Sequence, residues 1–206
     1  MLFQGVVGLQ TLSVGNQASV SQGRFGDTYV SEVNGRYYAL AQAGKLFQAT
    51  TQTAQALSTK SSTCTGLILF NPYGSTVNLV LLDICVALAT APAGISNIHL
   101  EGVQTPVPSV AAPSGNAVTV QPTYLGSSFA SQAFASTSAT LTATPTVIRA
   151  IGGGPNASGS VTTPFIRDEV AGQIIVSPGC SINLGYITTA ISVVATYVWA
   201  ELPLTG

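Results

Sequence analysis

From Cys64 onward the hydrophobic pattern has the two-residue period of strands with one buried face. Cys180–Tyr186 alternates Ile182, Leu184 and Tyr186 against Ser181, Asn183 and Gly185, and 191–199 alternates Ile191, Val193, Ala195, Tyr197 and Trp199 against Ser192, Val194, Thr196 and Val198. Val77–Leu88 is apolar on both faces. Its even positions, Val80, Leu82, Ile84, Val86 and Leu88, are expected to meet the core, and the other face holds Leu79, Leu81 and Asp83, so the strand is central or covered. Gly66–Phe70, Ile98–Val103, Ala117–Val120, Ala139–Ile151 and Val170–Val176 read as further strands, with Pro145 marking an edge, a bulge or a break in its segment. Asn71-Pro72-Tyr73-Gly74 and Ser177-Pro178-Gly179 are turn signals. Gln104–Ser138 reads as long surface loops, and Gly152–Ser160 as a flexible tip.

Before Cys64 the pattern differs. Within Gly35–Thr51 the positions Tyr37, Leu40, Ala41, Gly44 and Phe47 recur at the spacing of one helix face, with Asn34 as the N-cap. Residues 1–34 scatter apolar side chains thinly among Gly, Gln and Ser, so they are expected to form an extended arm ordered by what it lies on. The division that follows is an arm at 1–34, a helix or hinge at 35–51 and a β domain at 52–206.

Short strands separated by Gly/Pro turns predict a mainly β protein: an antiparallel β-sandwich with one short helix, a jelly roll ahead of an immunoglobulin-like sandwich. No fixed internal period points to a solenoid or propeller.

Composition changes the functional picture. Charged residues make up 6% of the 206-residue chain, against roughly 25% in an ordinary globular protein. Polarity comes instead from 24 Thr, 21 Ser and 21 Gly. Hydroxyls can be buried in an interface without desolvating an ion, so this surface suits packing against neighbours. A net charge of −1 argues against nucleic-acid binding as the main task. Residues 1–60 carry an excess of basic side chains and the remainder an excess of acidic ones, a pattern compatible with contacts between copies. Cys64, Cys85 and Cys180 lack metal-ligand spacing, and Cys85 reads as a small core residue. No secretory signal opens the chain, and the longest apolar run, Leu79–Ala91, falls short of the ~20 residues of a membrane helix.

No residue pattern in the chain reads as catalytic, cofactor-binding or metal-ligating. His99 is the single histidine and the one available base for a nucleophile. It reads as an exposed or hydrogen-bonded side chain sharing a strand face with Glu101, too few ligands for a metal. Arg167-Asp168-Glu169 reads as a solvated turn or an inter-subunit salt bridge rather than a glycosidase pair. Tyr73, Tyr124, Phe129 and Phe134 could stack on sugars or anchor loops and interfaces.

GRYYALAQAGKLFQATT at Gly35–Thr51, Leu69-Phe70-Asn71-Pro72 after a Thr/Ala-rich link, and the closing Ile175–Gly179 and Tyr197–Glu201 together resemble a family of small virion proteins of tailed bacteriophages. The resemblance implies a structural protein that decorates or cements the outer surface of the capsid, with the major capsid protein as partner. Closed symmetry, a trimer, is the expected homo-oligomer. The contact residues expected are Arg24, Arg36, Tyr37, Tyr38 and Lys45. The reading from another class is a carbohydrate-binding jelly-roll module of a tail or adhesin.

Overall fold

A computed structural model describes residues 35–90, 94–104, 106, 115–141, 143–154 and 165–204. The chain divides into two units, 1–39 and 40–206. Of the first, residues 35–39 are described; the expected arm, Asn34 and Arg24 lie outside the described residues.

The described residues form one helix, α1 (Tyr38–Gln42), and fifteen strands. These are β1 (Leu46–Thr50), β2 (Gln55–Ala56), β3 (Thr63–Cys64), β4 (Ile68–Phe70), β5 (Val77–Leu88), β6 (Ser96–Val103), β7 (Asn116–Val118) and β8 (Val120–Pro122). They continue with β9 (Phe134–Thr137), β10 (Ala139–Thr140), β11 (Thr146–Gly154), β12 (Phe165–Asp168), β13 (Ile174–Val176), β14 (Ser181–Ile187) and β15 (Ser192–Pro203).

Two large antiparallel sheets and a two-stranded one, β10-β3, result. One runs β12-β5-β15-β1-β8, with β13 also on β5 and β2 on β15; the other runs β11-β6-β14-β4-β9-β7. The long-range pairs nest. The first principal strand pairs with the last (β1 with β15), β4 with β14, β5 with β12 and β13, and β6 with β11. Joining the nested pairs through β5–β15 and β6–β14 gives a ribbon wound into two sheets, the jelly-roll wrap. Buried residues of both sheets share one core: Phe47, Leu79, Ile84, Val86, Tyr197 and Trp199 from the first, Leu69, Ile98, Leu100, Ile182 and Leu184 from the second. Each fully buried large apolar side chain contributes roughly 1.5–3 kcal/mol.

The segment expected as a helix or hinge over 35–51 is instead one short turn of helix followed by a strand. At Gly44 the backbone turns left-handed (φ 66°). Gly44 N donates to Ala41 O and Lys45 N to Leu40 O, closing the helix in a Schellman motif. Beyond it, Phe47 lies opposite Trp199, with the rings 6.4 Å apart. Pairing with β15 outweighs a helical preference of a few tenths of a kcal/mol per residue.

The inward face of β5 also differs from the simple alternation. Leu88, Val86 and Ile84 point inward as expected, but Leu81, Leu79 and Val77 replace Leu82 and Val80 in the core. A bulge causes the switch: Val198 pairs with Asp83 and Trp199 with Leu81, skipping Leu82, and one extra residue inverts the phase. Cys85 therefore lies half-buried on the outer face, opposite Arg167 and Thr196, and is not a core residue.

Ala117–Val120 is not one strand. β7 joins β9 in one sheet while β8 joins β1 in the other, so the chain changes sheets at Thr119. Pro145 marks a break, with β11 starting at the next residue as a sheet edge. Gly152–Gly154 are part of β11 rather than a loop tip, and residues 155–160 lie outside the described residues.

Candidate functional site

The densest polar cluster lies on the outer face of the six-stranded sheet. Ile98 and Leu100 of β6 enter the main core, so the alternating His99 and Glu101 must point the other way. On the neighbouring strand the register sets Asn183 opposite Glu101 and Gly185 opposite His99. His99 Nε2 lies 2.6 Å from Glu101 Oε1, and Asn183 Nδ2 donates to Glu101 Oε2 at 2.9 Å. All three side chains are buried, Glu101 and Asn183 completely. Gly185 makes the room: a Cβ there would stand 2.4 Å from Glu101 Oε1 and 2.9 Å from His99 Nε2.

The chain between β1 and β4 crosses this end of the sheet. Ser58 bridges Gly185, and Tyr186 N donates to Ser58 O. Farther along, Cys64 packs with Ile68, Phe70, Val103, Ala139 and Leu141 in a second, smaller core. Burial, and then the Glu101 charge, push the Cys64 thiol up to about 11, which removes any thiolate at neutral pH. Ser58 Oγ sits close enough to favour the thiolate slightly, without a hydrogen bond of good geometry.

The alternative of an exposed His99 is thus corrected: the residue is 2% exposed and hydrogen-bonded. It shares a strand face with Glu101 as expected, but the face is covered. No group of three His, Cys, Asp or Glu side chains converges to hold a metal ion among the described residues.

Five further charged side chains are used inside the fold. Arg167 donates to Asp83 on the outer face of the seven-stranded sheet, at 2.7 Å. Asp168 turns the opposite way and takes Arg149 of the other sheet. The cluster expected to be a solvated turn or an inter-subunit bridge is therefore split into two intrachain ion pairs. Glu201, buried in β15, accepts hydrogen bonds from Ser131 Oγ, from Gln132 N at 3.1 Å, from Ala133 N at 3.3 Å and from Trp199 Nε1 at 3.4 Å. Asn71, also buried, donates from Nδ2 to Val77 O and Val176 O, tying the Asn71-Pro72 turn to the ends of two strands. Neither role was legible in the sequence, where Glu201 and Asn71 stand among ordinary strand-end and turn residues.

Of the expected contact residues, Arg36, Tyr37, Tyr38 and Lys45 lie among the described residues. Arg36 lies over the Tyr37 ring, 5.3 Å from its centroid, and is exposed. Tyr38 is 49% exposed in α1. Lys45 is half-buried, with its backbone held by Leu40 and Glu201. The outer face of the seven-stranded sheet shows Gln48, Thr50, Ala87, Val194, Thr196 and Val198, all half-buried. It is a face of amide, hydroxyl and small apolar groups.

No protein-family model matches the chain, and no curated protein does. Among solved structures, a chain of an Israeli acute paralysis virus full particle heated to 63 degrees is similar at 11% identity and a TM-score of 0.24, covering 98% of this chain and 83% of that one. A likeness of that size bears on neither fold nor function.

Proposed function

We propose that this protein is a structural component of a virus particle, and that it decorates or cements the capsid of a tailed bacteriophage. The observation that carries the reading is how the charge is used. Asp83, Glu101, Arg149, Arg167, Asp168 and Glu201 each pair or hydrogen-bond within the chain, so that beside the exposed Arg167–Asp83 pair the outer face of the seven-stranded sheet presents amides, hydroxyls and small apolar groups. Such a surface packs against neighbours at little desolvation cost and is poorly suited to a freely diffusing monomer. The jelly roll is shared by viral capsid domains and lectins, so fold alone does not choose between them.

In this reading the major capsid protein is the partner, the copies associate as a trimer on the outer surface of the shell, and residues 1–34 with Arg36, Tyr37, Tyr38 and Lys45 make the attachment. Many modest attachments reinforce one another through effective concentration. The test is to purify full heads and measure copy number by quantitative mass spectrometry, then add protein lacking residues 1–34 to undecorated heads. Stoichiometric copies and loss of binding on truncation are expected. Absence from heads sinks the decoration role, and full binding by the truncated protein sinks the role of the arm.

A carbohydrate-binding module is the second reading. Its support is the exposed pair Tyr124 and Phe129, with ring centroids 6.4 Å apart. Binding on a glycan array that disappears in Tyr124→Ala would favour it over the first.

A further inference from the structure

Glu101 dictates which way its neighbours face. An ionised carboxylate only accepts hydrogen bonds, so both neighbours must turn donors toward it. Asn183 presents Nδ2, and His99 presents Nε2 with its proton. This leaves His99 Nδ1 and Asn183 Oδ1 as lone-pair acceptors, and both atoms are buried without a protein partner. A buried polar atom of this kind almost always has a partner, because leaving it bare forfeits its hydration. The missing partner must therefore be a hydrogen-bond donor or a cation, which excludes anions and carbonyl ligands. It must also be small, because the network is buried and closely packed, and a Cβ at Gly185 would already stand 2.4 Å from Glu101 Oε1.

We propose that the His99–Glu101–Asn183 network is a buried hydration site, in which trapped water donates to His99 Nδ1 and Asn183 Oδ1. A metal cation is the weaker occupant, because no third His, Cys, Asp or Glu ligand joins the site among the described residues. Water needs two to four polar partners, and the two bare acceptors supply the first two. Glu101 sets the tautomer of His99, and the tautomer sets what is bound.

His99 is the single histidine of the chain, so labelling the full-length protein with 15N-histidine yields one reporter. Long-range 1H–15N correlation at neutral pH should show Nε2 protonated and Nδ1 bare. Cross-relaxation from long-lived internal water to the His99 ring should accompany it. A protonated Nδ1, whether in the other tautomer or in an imidazolium, would overturn the assignment, because the atom would then be a donor. A bare Nδ1 with no water cross-peak would overturn it as well. A Nδ1 resonance that moves on addition of EDTA would replace water by a metal ion.

Discussion

Arg149 of β11 and Asp168 of β12 clasp the two sheets at one side of the sandwich through a two-pronged ion pair, with Nη2 to Oδ1 and Nε to Oδ2 both at 3.0 Å. The side chains are 32% and 15% exposed, so the pair is screened less than a surface bridge and desolvated less than a buried one. A double-mutant cycle with Arg149→Ala and Asp168→Ala should return a coupling of about 1 kcal/mol in denaturant unfolding. The coupling should shrink in high salt. A coupling of zero at low salt would show that the fork holds nothing together.

Gly185 should be among the least replaceable glycines. Gly185→Ala puts a methyl into the Glu101 carboxylate and should cost about 2–3 kcal/mol, as overpacking of a closed site does. At Gly74 a Cβ meets nothing within 4 Å, and Gly74→Ala should change stability by no more than about 0.5 kcal/mol. Equal unfolding midpoints for the two variants would refute the reading of the Gly185 site.

Removing the Glu201 carboxylate should strand several donors at once. Ser131, Gln132, Ala133 and Trp199 all turn donors to it. Glu201→Ala should lose roughly 2–4 kcal/mol, because donors left unpaired keep their desolvation cost. The segment from Tyr124 to Ala133 should become the first site of limited proteolysis. An unchanged cleavage pattern would mean that the segment is held by other contacts.

The thiols should react in order of access. Cys85 is half-buried, whereas Cys64 and Cys180 are buried. Burial raises all three, and Cys64 reaches about 11. Alkylation at pH 8, followed by mass spectrometry, should modify Cys85 first and Cys64 last. Early modification of Cys64 would show that its site opens readily.

The same thiol makes the fold alkali-sensitive. A group whose pKa is higher folded than unfolded holds its proton more tightly in the native state. Its contribution is complete below 9.0 and is lost as the pH rises toward about 11. Tyr197, fully buried and pushed well above its usual 10.0, acts in the same direction. Thermal midpoints should be level from pH 7 to 9 and fall above it. A Cys64→Ala variant, compared with its own value at pH 8, should fall less.

Much of the sandwich was legible because its strongest signals are local. The alternation in 191–199 reports burial of one face residue by residue, and that in Cys180–Tyr186 marks which side chains enter the core; Ile182, Leu184, Val193, Ala195, Tyr197 and Trp199 are all there. Phe47 was legible as an apolar residue, but its helix was not real. A five-residue strand has too few positions to separate a period of 3.6 from one of 2, and its partner lies about 150 residues away in the chain. The phase of β5 was hidden for a related reason, since a bulge depends on the partner strand and leaves no mark on a run that is apolar at every position.

The sequence by itself determined an all-β sandwich, the low charge and the pairing of His99 with Glu101 on one strand face, because each follows from composition or from the two-residue period. Only the tertiary structure decided what those residues do. It covered the polar face, placed Asn183 and Gly185 beside it, divided Arg167 from Asp168 between two faces and aimed Glu201 at a loop some 70 residues away in the chain. The physical reason is that hydrogen bonds and ion pairs are made in space. Register between distant strands sets their partners, and register is a property of the whole fold.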